Sequence, residues 1–186
     1  MADKNKLEQA ARLILEAIGE DPNREGLLET PRRFAEMMEE QMAYTTVSNE
    51  EIARQFGKTF TSSEEGPVVV KDISIFSHCE HHLALMYHMH VSVGYIPHGR
   101  VIGLSKVARI ADAVSRRLQI QERIGADIRT IIEKVTGSSD VIVRIDGEHS
   151  CMTARGIKKP GAVTTTISSS GKFNTPEYRQ LFKDML

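Results

Sequence analysis

Met86-Tyr87-His88-Met89-His90-Val91-Ser92-Val93-Gly94-Tyr95-Ile96-Pro97 is the stretch from which the fold can be read. Tyr87, Met89, Val91, Val93 and Tyr95 alternate with His88, His90, Ser92 and Gly94. That is the period of a strand with one buried face and one wetter face. Upstream, Val68 to Phe76 is apolar and β-branched and reads as a first strand. Downstream, His98-Gly99 makes a turn, and residues 104–136 return to helical spacing. Ser105 is placed to cap the first of two helices, whose stripe is Ile110, Ala113, Val114 and Leu118. The second carries Ile124, Ile128, Ile131, Ile132 and Val135 and closes at Gly137. Asp140 to Gly147 and Ala162 to Ser168 read as two more strands. The order strand, strand, helix, helix, strand, strand predicts an α+β fold. Its sheet has four antiparallel strands, with two β-hairpins flanking two helices on one face. Two sheet edges are then left for other subunits to cover.

The chain ahead of Gly66-Pro67 has a different character, so residues 1–65 are expected as a helical region and 66–186 as the catalytic domain. Leu7, Ala10, Ala11, Ile14, Leu15 and Ile18 recur at helical spacing, and Gly19 is placed to end that helix. Thr30-Pro31 reads as a helix start with Thr as the cap, and Ser48 ahead of Glu51 as another. Thr175-Pro176 opens a short terminal helix by the same logic.

The chain has 186 residues, with 24 Lys+Arg against 25 Asp+Glu. That balance argues against a coat for nucleic acid or for an anionic membrane. No apolar run approaches the roughly 20 residues of a membrane span, and no targeting segment follows Met1. A cytoplasmic protein is expected. Two cysteines cannot form a disulfide-rich scaffold.

Both cysteines stand beside histidines at strand ends. One group is Ser77-His78-Cys79-Glu80-His81-His82, the other His149-Ser150-Cys151. Cys79 and His82 are three apart, so one turn can aim both at a point. Cys79, His82 and Cys151 would make a Cys₂His set for Zn²⁺, leaving a fourth position for water as in catalytic zinc sites. Taken singly, each cluster is as well explained by a buried thiol and a polar histidine. Taken together they favour metal. His81 and His149 are then left over as acid or base near a metal-bound water. His88, His90 and His98 read as wet strand face and turn.

Ser105, Lys106 and Arg109 fall in one helical turn at a helix start, and Arg155, Lys158 and Lys159 follow the second cluster. Solvated charge is the plain reading of each cation, and for Lys106, Arg109 and Arg155 an oligophosphate site fits too. Gln121-Glu122 could read the donor edge of a purine, but from the residues alone an exposed helix face is the preferred reading.

These motifs, with Gly94-Tyr95-Ile96-Pro97, Val101-Ile102-Gly103-Leu104, Gln119-Ile120-Gln121-Glu122-Arg123, Met152 and Ala154-Arg155-Gly156, resemble the GTP cyclohydrolase I family in order, from about Leu7 to the C-terminus. Thr30-Pro31-Arg32-Arg33 matches as well. The resemblance implies the tunnelling fold, and conversion of GTP and water to 7,8-dihydroneopterin triphosphate and formate. It implies zinc on Cys79, His82 and Cys151, and catalysis by His81 and His149. Zinc hydroxide would attack C8 of guanine, His149 would protonate the ring nitrogen, and Ser105 would assist at the sugar. Glu122 with Gln121 would hold the guanine. Lys106, Arg109 and Arg155 would hold the triphosphate, joined by Arg33 of a neighbouring subunit. The family's homodecamer, two pentamers with sites between subunits, is implied too. His78 departs from the family pattern, and so does the stretch 83–90, in length and character.

Three other readings compete. A structural zinc protein that binds a nucleotide or RNA would need a fourth protein ligand. A pterin-pathway relative with the same fold would lack this ligand pattern. A nucleobase deaminase would need a Cys-x-x-Cys pair, which the chain does not have.

Overall fold

Helices α1 (Lys4–Ala17) and α2 (Thr30–Gln41) pair with each other in a first compact unit, which ends at Thr46. Lys4 Nζ reaches Glu39 at 2.8 Å across the pair, and Ala11 and Ala35 are buried in it. Of the apolar stripe expected on α1, Ala11 alone is buried, and Ile14 and Ile18 stay exposed. Thr30 is the first residue of α2 and Glu29 its cap, so Thr30 makes no side-chain cap; Pro31 occupies the first turn as expected. The structure, a computed structural model, describes residues 2–186.

The second unit, Val47–Leu186, contains α3 (Asn49–Phe56), β1 (Thr59–Thr61), β2 (Val68–Cys79), β3 (Ala84–Tyr95), β4 (Arg100–Ile102), α4 (Leu104–Ser115), β5 (Leu118–Gln119), α5 (Gln121–Thr136), β6 (Val141–His149), α6 (Ser150–Thr153), β7 (Val163–Ser169) and α7 (Pro176–Met185). It takes in α3 and β1, which the sequence reading grouped with the N-terminal helices. The reason is a polar joint. Asn49 donates to Asp127 at 2.9 Å, and Arg117 donates to Asn49 at 2.9 Å and to the Val47 carbonyl at 2.6 Å. Ile52, buried completely, seals it. Ser48 and Glu51 form the capping box ahead of α3, and Thr175 caps α7.

The sheet runs β5-β2-β3-β6-β7. The four long strands are antiparallel in the expected order. The fifth, β5, is two residues paired parallel to the end of β2, His78 with Leu118 and Cys79 with Gln119. Strands β1 and β4 form a separate ribbon. One sheet face packs Met89, Val91, Val93, Tyr95, Val143 and Ile145 toward α4 and α5, whose Val107, Ile110, Ile124, Ile128 and Ile132 are fully buried. Each such side chain contributes about 1.5–3 kcal/mol by leaving water.

The other face is not uniformly wet. Ser92 and Gly94 are buried, because Ile96, Ile142, Phe173 and Phe182 form a small second core over that end of the sheet. A Cβ at Gly94 would stand 2.9 Å from the Phe182 ring, so the residue must be glycine for α7 to dock. Helix α4 is capped by Gly103, with no side-chain hydrogen bond, so Ser105 lies in the first turn instead of capping it. Among the described residues no helix is long and apolar enough to cross a membrane.

Candidate active site

Strand β3 brings the two cysteine groups together. Its first residues pair with both neighbours, Ala84 with Cys79 on β2 and Met86 with His149 on β6. The chain turns after Cys79, with the His82 amide donating to the Cys79 carbonyl at 3.3 Å, so both residues share one tight turn. After His149 the four-residue helix α6 presents Cys151. The ligand atoms of Cys79, His82 and Cys151 all lie within 4.8 Å of one another, and Cys79 Sγ is 3.9 Å from His82 Nδ1. Ligands about 2.0–2.3 Å from one tetrahedral zinc sit roughly 3.5–4 Å apart, so this set fits the ion. Among the described residues no fourth Cys, His, Asp or Glu joins the group.

Burial pushes the Cys151 thiol up, the neighbouring Cys79 pushes the same way, and Arg155 opposes both. Two crowded sulfurs resist ionising together, and a divalent ion between them reverses that preference. Exposed His81 sets its Nδ1 3.7 Å from Cys79 Sγ. His78 is buried beside Cys79, and burial lowers its pKa; it is not among the grouped ligands.

The turn itself is clamped. Arg123 on α5 donates to both carboxylate oxygens of Glu80, at 2.6 and 3.0 Å, and the Glu80 amide donates to the Gln119 carbonyl on β5. A bidentate fork fixes orientation as well as distance. The sequence reading did not find this pair. The signal was available, in a carboxylate set between two candidate ligands that requires a counter-charge.

His149 is held by Gln121. The Gln121 side chain is 1% exposed. Its Nε2 donates to the carbonyls of Ile145 at 3.0 Å and Thr164 at 2.9 Å, and contacts Thr166 Oγ1 at 3.2 Å. Those carbonyls fix the amide, so Oε1 is the acceptor that faces His149 Nε2 at 2.8 Å. His149 therefore carries its hydrogen on Nε2 and keeps a lone pair on Nδ1. Gln121 was expected on guanine, but here its amide is taken up inside the protein. Gly147 makes room for it, since a Cβ there would stand 2.9 Å from Met89 Cγ and 3.2 Å from Gln121 Oε1. Glu122, next along α5, is exposed.

Burial lowers the His149 pKa below the ordinary 6.5, and the Glu122 charge opposes the shift. Unfolded chain thus binds a proton here that folded chain does not, so stability falls as pH drops below 6.5. In the folded protein the His149 ring is expected to titrate below that value. Glu122→Gln removes the opposing charge and should move the titration to lower pH still. Following the imidazole ring signals by NMR against pH in the two proteins checks this, and an unmoved or raised midpoint contradicts it.

The cationic group is not in one place. Ser77 Oγ donates to the Ser115 carbonyl at 2.8 Å, so the C-terminal end of α4 abuts the strand end that leads into the Cys79–His82 turn. The other end sits beside Tyr95, whose hydroxyl accepts from the Ile102 amide at 3.2 Å. Ser105, Lys106 and Arg109 occupy that first half of α4, so the helix's start lies roughly 15 Å from the trio. Among the described residues neither Lys106 nor Arg109 has an ion-pair partner. Arg155 is the one expected phosphate ligand brought to the trio, and it donates to His82 Nε2 at 2.6 Å. Arg33 is exposed on α2, in the other unit.

The sequence profile of GTP cyclohydrolase I matches residues 7–186. GTP cyclohydrolase 1 of Clostridium acetobutylicum is 59% identical over 180 residues, 94% of this chain and 92% of that protein. GTP cyclohydrolase 1 of Clostridium beijerinckii is 58% identical over 179 residues, 93% of this chain and 91% of that protein. Among solved structures, the apo form of the archaeosine synthase QueF-Like overlaps 59% of this chain and 96% of its own, at 18% identity and a TM-score of 0.46. A profile match across all but the first six residues, with identity above one half along the same length, leaves one assignment: the chain belongs to the GTP cyclohydrolase I family.

Proposed function

We propose that this chain hydrolyses GTP to 7,8-dihydroneopterin triphosphate and formate, using zinc, at a site completed by a second copy of itself. The observation that carries this reading is the Cys79–His82–Cys151 trio, with no fourth protein ligand among the described residues, set beside a histidine of fixed tautomer. Three ligands suit a catalytic ion and a fourth would suit a structural one.

Zinc held by Cys79, His82 and Cys151 would supply a water with its pKa lowered to about 7, and a Lewis acid. The chain's own groups do the rest. Glu122 offers two carboxylate oxygens to the N1–H and amino group of guanine. His149 enters the reaction neutral, with Nδ1 free to take a proton and later return it to the opening ring's nitrogen. Exposed His81 is the second proton carrier on the same side. A neutral imidazole has one lone pair. Arg155 therefore loses its bond to His82 Nε2 once that ring ligates through either nitrogen, and turns to the phosphates. Lys106 and Arg109 hold the rest of the triphosphate, joined by Arg33 of a neighbouring subunit, and Ser105 lies beside the sugar.

The separation along α4 supports a composite site, in which Ser105, Lys106 and Arg109 come from a neighbour. The free edge of β7, with Val163 and Ile167 both exposed, and the exposed apolar residues of α1 support an assembly. We take this assembly as a decamer of two pentamers on a tunnelling fold, working in the cytoplasm where GTP is. Incubation with GTP and zinc should yield a pterin absorbance and stoichiometric formate. Lys106→Ala and Cys151→Ser chains should each be inactive alone. Unfolded together and refolded as a mixture, they should regain about a quarter of wild-type activity, the share of sites that draw both intact halves by chance. No recovery on mixing would overturn the composite site.

A further inference from the structure

Tyr87 and His88 are neighbours on β3, and neighbours on a regular strand point to opposite faces. Here both reach one carboxylate on β6. Tyr87 Oη donates to Glu148 Oε2 at 3.3 Å, and His88 Nδ1 meets Glu148 Oε1 at 2.9 Å. A β-bulge makes this possible. Tyr87 pairs with Glu148 and His90 with Asp146, so β3 spends one more residue than β6 between the two pairs. His88 takes the extra place at φ 46°, in the left-handed region that side chains seldom adopt. Bulges beside sites re-aim side chains, and a strained residue persists where its surroundings over-determine it.

What the bulge re-aims is the Tyr87 hydroxyl. With its proton given to Glu148, it accepts from Thr153 Oγ1 at 2.9 Å. Thr153 is the last residue of α6, the turn that presents Cys151. The first residue of that turn, Ser150, donates to the Leu85 carbonyl, again on β3. Helix α6 is thus held from one strand at both ends, with Cys151 between. Glu148 stays charged to receive the hydroxyl: His88 foremost, then Tyr87 and the Gly161 amide, hold its pKa below the usual carboxylate range.

We infer that Tyr87 is a positioning residue for the metal centre, holding Cys151 in place through Thr153, and that the β3 bulge exists to aim it. The inference rests on the Cys79–His82–Cys151 reading above. Tyr87→Phe removes the hydroxyl and keeps the ring, which also packs edge-on against His88. Chelator competition should show its zinc dissociation constant raised about tenfold, as for loss of other outer-shell partners. At saturating zinc, kcat and KM for GTP should return to near wild type, which a defect in folding or chemistry would not allow. Thr153→Val breaks the same bond from the other side, and Thr153→Ser should retain wild-type affinity. The double variant Tyr87→Phe/Thr153→Val should bind zinc no worse than either single one. Wild-type affinity in Tyr87→Phe overturns the inference. If that variant fails to fold, wild-type affinity in Thr153→Val overturns it instead. Wild-type chain that takes up no zinc would instead refute the reading underneath.

Discussion

Cys151→Ser protein should purify folded, with less than about a tenth of a zinc per chain, and with GTP turnover reduced more than about 10³-fold. The serine hydroxyl cannot ionise at neutral pH as a thiolate can, so the ion would keep Cys79 and His82 alone. Two protein ligands do not hold zinc against buffer and water. The fold should survive, because Cys151 sits half-buried in a four-residue turn outside both apolar cores. Circular dichroism should therefore match the parent while elemental analysis does not. Full zinc in this variant would mean that the ligand set is wrong.

His149→Ala should keep its zinc and lose about 10²–10⁴-fold in kcat, the range for removing a positioned acid–base group. Formate release should fall in step, since the same proton transfers open the ring. The variant should also be less stable. With the imidazole gone, Gln121 Oε1 remains inside the protein, held by Ile145 and Thr164 through the other end of its amide and without its donor. An unsatisfied buried acceptor costs about 1–3 kcal/mol, although a water admitted to the space would reduce this. Intact turnover with intact formate release would remove His149 from the mechanism.

Much of this was legible in the residues. The alternation from Tyr87 to Tyr95, the isoleucines of α5 and the cap at Ser48 each state a local preference that packing reinforces. Cys79 with His82, and His149 with Cys151, stand at strand ends, and the structure gathers the three expected ligands. What was hidden depends on partners distant in sequence. Gln121 reads as an exposed first-turn residue until Thr164, 43 positions later, lays its carbonyl over it. Leu118-Gln119 is too short to declare itself a strand, and becomes one because the end of β2 offers it free amides and carbonyls. The bulge was hidden for the opposite reason. Tyr87-His88 continues a clean alternation on paper, and only pairing with β6 shows one residue too many. Ser105 looked like a cap because its type suits one, but Gly103 already held that position.

Helix α4 puts the groups proposed to grip an anion and the turn proposed to grip a cation at its two ends. With the composite site proposed above, a solitary polypeptide would be inert, however well folded. Newly translated molecules would contribute nothing until they find one another, so while they are scarce, output would climb more steeply than their number.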